Sequence, residues 1–164
     1  MSLVMEIRFA DAAESSALRF LHERSSYLWE ADRADLEAHP DALGVAPEAI
    51  AEARVRVAVG ADGGLLGFSV VAYAPGEVCE LDDLFVDPDF MRMGIGRRLV
   101  EDAATRAASA GYRQLTVVSH ERNFAFYESV GFSGREPAST RFGPATLLRR
   151  PLRVHDCVCE GCTV

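Results

Sequence analysis

Leu81-Asp-Asp-Leu-Phe-Val-Asp-Pro-Asp-Phe-Met-Arg-Met-Gly-Ile-Gly-Arg-Arg-Leu-Val100 decides how this chain is read. In order it is a buried strand, a turn marked by Pro88, a glycine pair, and a helix with arginines in its first turn. That order builds an anion site from main chain alone. A helix start carries amides without intrahelical acceptors and a partial positive charge. Gly94 and Gly96 lack a Cβ, so a phosphorylated ligand can approach the backbone closely there. Arg97 and Arg98 stand where the helix dipole favours Asp or Glu, an arrangement that makes sense once an anion joins them. The competing reading is a glycine-softened turn with two solvated arginines. Glycines, helix start and arginines agree, and together they favour the anion site.

A chain of 164 residues fits one domain and buries a substantial core without metal or disulfide support. The expected organisation is a single domain over residues 1–152 and a disordered tail over 153–164. The formal net charge of −8 argues against nucleic-acid binding and suits a cationic substrate. No apolar run approaches the roughly 20 residues that span a bilayer. The start Met1-Ser-Leu-Val-Met-Glu6 shows no basic segment followed by a hydrophobic one. No membrane association and a cytoplasmic location are expected. Cys157, Cys159 and Cys162 crowd the last residues with His155 and Asp156. They are soft ligands that suit zinc, but no second cluster completes a site, and no metal is assigned.

Outward from the central stretch, alternation and turn signals place the other elements. Glu6 to Phe9 is an opening strand, with Ile7 and Phe9 on one face. Asp11 with Glu14 makes a capping box, and Leu18, Leu21 and Leu28 form the apolar stripe of a helix reaching about Trp29. A second helix covers Ala31 to Ala38 and stops at His39-Pro40, and Pro47 opens a helical turn before Ala53. His22 and His39 read as polar groups on a helix surface or loop. Val55, Val57 and Val59 share one face of a strand over Arg54 to Val59. Asp62-Gly63-Gly64 turns into a partner strand over Leu65 to Tyr73. After Pro75-Gly76 a third strand covers Val78 to Val86. Ile95, Leu99, Ala103 and Ala107 mark a helix from Gly94 to Ala110, stopped at Gly111. Gln114 to Val118 is a buried strand, Phe124 to Val130 a helix, Gly131-Phe132 starts a strand, and Thr146 to Arg149 closes the sheet. Arg141-Phe142-Gly143-Pro144 is the turn before it, which can reach over the site or serve a dimer contact.

Parity breaks inside the third strand. Cys79 and Leu81 are apolar at odd positions, Leu84 and Val86 at even ones. A β-bulge near Asp82-Asp83 repairs this, and such bulges free backbone groups beside sites. A strand buried on both faces is the alternative.

With strand, bulge, Gly-x-Gly turn and helix placed, the chain resembles the GCN5-related N-acetyltransferase (GNAT) superfamily from about Glu6 to Leu152. Met91, Arg92, Met93, Gly94, Ile95 and Gly96 look like that family's pyrophosphate loop, Gln/Arg-x-x-Gly-x-Gly/Ala. Met91 departs from the usual first residue, and Arg92 beside it can supply the polar contact. Phe126-Tyr127-Glu128-Ser-Val-Gly131-Phe132 looks like the family's Phe-Tyr-x-x-x-Gly-Phe segment. An Asn commonly lies seven residues before that Tyr; His120 stands there instead. Three residues after that position the family commonly has an Ala, and Asn123 stands there.

The resemblance implies an α/β (α+β mixed) fold with a mixed, mostly antiparallel twisted sheet of six to seven strands and about four flanking helices. It implies acetyl-CoA as co-substrate and an amine that attacks the thioester directly, through a tetrahedral intermediate. The pantetheine arm would pair with backbone at Leu84, Phe85 and Val86, and the loop from Met91 to Arg97 would hold the diphosphate. His120, Asn123 and Phe126 would border the cofactor. A protonated alkyl amine must lose a proton before attack, and Glu80, Asp82 and Asp83 are the candidate bases. Glu80 reads equally well as a solvated strand acid. Tyr127 is the candidate acid for the leaving thiolate, ahead of a reading as a core aromatic. Phe20, Tyr27 and Trp29 lie in the first helical region, which lines the acceptor pocket in this family, and core packing explains them equally well. The acceptor expected is a small-molecule amine. A sensor domain that binds acyl-CoA without transfer, a protein or peptide acceptor, and a homodimer stay open. A dinucleotide-binding fold fails on the missing third glycine, where Leu99 stands.

Overall fold

The computed structural model describes residues 3–153; the cysteine-rich end and its His155 lie outside them. Seven strands form one sheet in the order β1-β2-β3-β4-β5-β7-β6. They are β1 Met5–Phe9, β2 Val55–Gly60, β3 Leu65–Ala72, β4 Val78–Val86, β5 Gln114–Ser119, β6 Ser133–Thr140 and β7 Gly143–Pro151. The α-helices are α1 Ser15–Ser26, α2 Glu30–Ala38, α3 Pro47–Ala51, α4 Ile95–Ser109 and α5 Phe124–Ser129. β4 and β5 run parallel, from Val78 opposite Gln114 to Leu81 opposite Val117. The β1–β2, β2–β3, β5–β7 and β6–β7 pairs are antiparallel. The expected mixed α/β fold is found, and the last strand lies between β5 and β6 rather than closing the sheet.

Residues group into two compact units. The first holds the chain to Val70 together with Asp83–Leu99; the second holds Val71–Asp82 and the chain from Val100. The expected bulge position, Asp82-Asp83, falls at that division.

In the first unit, β2 is buried on both faces. Val55, Val57 and Val59 pack with Leu18 and Leu21 of α1, Ala49 of α3, and Phe68 and Val70 of β3. Ala58 faces the other way, onto Leu66 and onto Ile95 and Leu99 of α4. The β2–β3 register shifts at Ala58/Val59, where Ala58 pairs with Gly67 and Val59 with Leu65. This bulge turns Leu66 to the α4 side although Phe68, two residues on, faces α1. A parity break is therefore present in β3.

The capping box forms as expected. Asp11 accepts from the Ala13 amide at 2.8 Å and Glu14 from the Asp11 amide at 2.8 Å, but they close a 3-10 turn, Ala12–Glu14, ahead of α1. α1 ends at Ser26, so Leu28 is 49 % exposed instead of extending the stripe.

In the second unit Ala103, Ala104 and Ala107 of α4 and Leu115 and Leu148 of β5 and β7 are all buried. α4 stops as Gly111 predicts. The Tyr112 amide donates to Ala107 O and the Gly111 amide to Ala108 O, with Gly111 at φ +92°. That paired closure requires the left-handed conformation glycine tolerates.

Candidate functional site

The turn before α4 is built by Asp87. Its Oδ1 accepts from the Asp89 amide at 2.9 Å, and its carbonyl from the Phe90 amide at 2.9 Å, closing a 3-10 turn over Pro88–Phe90. Phe90 is half-buried against the cluster of Ile95 and Leu99. The chain then crosses Arg92 at φ +62° and Gly94 at φ +82°. An arginine in the left-handed region is uncommon and marks a shape held from both sides. Ile95, 1 % exposed, anchors the helix start, and the Arg98 amide closes onto Gly94 O at 3.1 Å. A Cβ built at Gly94 meets nothing within 4 Å, so that side of the backbone is open. Met91, Arg92, Met93, Gly94, Arg97 and Arg98 are exposed, Gly96 is half-buried, and the first turn of α4 carries no acid. An exposed helix start with only cationic side chains is a place for an anion.

Leu84, Phe85 and Val86 lead into this turn as the end of β4, all half-buried. Leu84 and Val86 pack with Ile95, whereas Phe85 packs with Phe68, its ring centroid 5.6 Å away. Val86 O accepts from Ser25 Oγ at 2.7 Å, and the Asp87 amide donates to Leu66 O at 2.8 Å. One lone pair of Val86 O is therefore already used. Asp83, half-buried, also belongs to this unit.

The other candidates lie in the second unit. Glu80 pairs with Thr116 across the parallel β4–β5 ladder. Partial burial, and then the charge of Asp82, hold its carboxyl above the ordinary glutamate range. Asp82 itself is exposed. His120 is exposed and precedes the 3-10 turn Glu121–Asn123. Asn123 and Phe126 are half-buried. Tyr127, 8 % exposed, is held edge-on by Phe126 and Phe132 at centroid distances of 5.1 and 5.5 Å.

Several side chains differ from expectation. His22 is not a surface group: it is 5 % exposed, its ring 4.1 Å from that of Phe85. Burial pushes its pKa down to about 4. His39 is exposed, as expected. Phe20 and Trp29 are 61 % and 42 % exposed, which removes core packing as their explanation, and Tyr27 is half-buried beneath Arg33. Arg24, Ser25 and Asp87 were not singled out by sequence. A signal existed, because Leu18, Leu21, His22 and Ser25 stand at i, i+3, i+4 and i+7 on one helix face; the polar identity of the last two concealed it. Among the described residues, no group of three or more His, Cys, Asp or Glu side chains is arranged to hold a metal. No helix there is long and apolar enough to cross a membrane.

The family model for the acetyltransferase (GNAT) domain matches residues 52–134, a segment that contains every candidate from Glu80 to Tyr127. This chain belongs to the GNAT family. It is 40 % identical over 87 residues to streptothricin acetyltransferase from Streptomyces lavendulae, covering 51 % of this chain and 46 % of that protein. It is 32 % identical over 59 residues to glucosamine 6-phosphate N-acetyltransferase from Trypanosoma brucei brucei, covering 36 % and 40 %. The aligned segments thus span less than half the length of these curated relatives. The PaiA N-acetyltransferase of Thermoplasma acidophilum, solved in complex with coenzyme A, shares the fold at TM-score 0.72 and 18 % identity, over 91 % of this chain and 99 % of that one.

Proposed function

We propose that this chain is an acetyl-CoA-dependent N-acetyltransferase acting on a primary amine of a small molecule. The observation that carries the reading is the main chain from Arg92 to Gly96, open at Gly94, with Arg97 and Arg98 and no acid at the helix start. Those features suit the diphosphate of coenzyme A, and family membership makes that ligand the natural choice. Bound there, acetyl-CoA supplies an activated acetyl thioester.

The chain's own residues have separable tasks in this scheme. Amides and arginines between Met91 and Arg97 bind the diphosphate, and backbone at Leu84 and Phe85 pairs with the pantetheine arm. His120, Asn123 and Phe126 border the cofactor. Glu80 takes the proton from the amine, directly or through water, with Asp82 and Asp83 as nearby alternatives. Its raised pKa makes it a stronger base than an ordinary carboxylate once ionised. Tyr127 returns a proton to the thiolate. The net charge of −8 favours a cationic acceptor over nucleic acid.

Calorimetry with coenzyme A, followed by thiol release from acetyl-CoA with panels of small amines and of peptides, tests the reading. Saturable binding and turnover of at least one small amine is the expected result. Failure to bind coenzyme A removes the assignment. Binding without turnover of any amine leaves a sensor, and faster turnover of peptides than of every small amine replaces the acceptor.

A further inference from the structure

Helix α1 grips the segment that leads into the proposed diphosphate loop. Ser25 Oγ donates to Val86 O at 2.7 Å. One residue away, the Arg24 guanidinium spans two carboxylates, with Nη1 donating to Asp87 Oδ2 at 3.2 Å and Nη2 to Asp89 Oδ2 at 2.9 Å. Asp87 is 8 % exposed, and its other oxygen shapes the 3-10 turn through the Asp89 amide. A planar fork suits two acceptors at once, which an ammonium group does not. The guanidinium also lies 5.6 Å from the Phe20 ring centroid.

Only two residues separate Asp89 from Arg92, whose left-handed backbone needs support on each side. Ile95 and Leu99 anchor the far side in the core. Arg24 and Ser25 anchor the near side. The Arg24 side chain is itself 35 % exposed, and ion pairs at such positions add little to global stability. Holding the shape of the turn gives this pair of contacts a purpose that stability alone does not.

We propose that Arg24 and Ser25 are positioning residues for coenzyme A: they set the Val86–Arg92 backbone and act on the ligand through Val86, Asp87 and Asp89. This rests on the coenzyme A reading above.

The test is calorimetric titration of coenzyme A, well below every melting temperature, into wild type, Arg24→Gln, Arg24→Lys, Ser25→Ala, Asp87→Asn and the double variant Arg24→Gln/Asp87→Asn. Arg54→Gln, which breaks a separate ion pair with Glu52, is the control. Arg24→Gln should weaken binding about tenfold or more, as displacement of a binding loop does. Arg24→Lys should recover part of that, and Ser25→Ala should weaken binding in the same direction. The control should leave affinity unchanged. The double variant should bind no more weakly than the worse single one, because both act on one turn. Should Arg24→Gln fail to fold, Ser25→Ala carries the test. Affinity within about twofold of wild type in Arg24→Gln and Ser25→Ala overturns the proposal and leaves the coenzyme A reading standing. Additive losses in the double variant overturn it too, since Arg24 would then touch the ligand itself. If wild type does not bind coenzyme A, the functional reading fails first.

Discussion

Gly44 donates its main-chain N–H to Nδ1 of His22 across 2.9 Å. The Gly44 carbonyl lies farther from the same nitrogen, at 3.4 Å, and the shorter amide contact assigns Nδ1 as the acceptor and Nε2 as the proton carrier of the neutral ring. Protonation would oppose that amide and place a charge among Phe68, Phe85 and the rest of the α1 core.

The consequence is acid lability with a defined window. Burial lowers the folded pKa of His22 from 6.5 to about 4. Between these values the unfolded chain binds a proton at this site that the folded chain does not, so stability is complete above the upper value and falls as pH drops through the window. The whole shift amounts to ~3 kcal/mol. Urea unfolding of wild type and His22→Gln across this range checks it. Wild type should show the steeper loss on acidification, and parallel curves would remove His22 as the cause.

Gly67 and Gly94 should fail differently as alanines. A Cβ on Gly67 would sit 2.8 Å from Phe85 O and 3.2 Å from Ile95 Cγ2, and a backbone oxygen in a sheet has nowhere to go. Gly67→Ala should cost about 1–3 kcal/mol of stability. At Gly94 the space is open and only the φ of +82° resists, which costs about 1–2 kcal/mol. Gly94→Ala should nevertheless weaken coenzyme A binding, because its methyl occupies the side a diphosphate would approach. Melting curves and calorimetry together separate the two; unchanged coenzyme A affinity in Gly94→Ala would remove the loop from the proposed site.

Glu80 makes a pH prediction. A base must be ionised, so transfer should decline as pH falls through its raised pKa. That acid limb should lie above the ordinary carboxylate range, chiefly because of burial and secondarily because of Asp82. Asp82→Asn removes the second cause and should move the limb to lower pH, whereas Glu80→Gln should abolish it. The pH dependence of kcat/KM decides, and a limb that survives Glu80→Gln assigns the base elsewhere.

Tyr127→Phe keeps the ring between Phe126 and Phe132 and removes only the hydroxyl. Stability and coenzyme A affinity should stay close to wild type, while the transfer rate falls by roughly 10²–10⁴-fold. A rate equal to wild type takes Tyr127 out of the chemistry.

Local chemistry made much of this molecule legible. The boundaries of β4 are those its apolar run and flanking turns predict, and Val55, Val57 and Val59 do share one core face. Ile95, Leu99, Ala103 and Ala107 are all buried, and Gly111 stops α4. Each is a periodicity or a backbone requirement of adjacent residues, which a linear chain displays directly. The turn from Met91 to Gly96 was readable for the same reason.

Other features depend on partners distant in sequence. His22 and Ser25 occupy core-facing positions of α1, but their polarity pointed to solvent until Gly44 and Val86 were seen to satisfy them. The β3 bulge at Leu66 escaped notice because Leu65 and Leu66 are both apolar and neither parity stands out. The insertion of β7 between β5 and β6 is a choice among strand orders that local pattern leaves equal. Sequence by itself thus determined the elements and the glycine turn, through spacing and main-chain geometry. Tertiary structure alone decided which polar side chains are buried and what they hold, because burial of a polar group is tolerated only where a partner meets it.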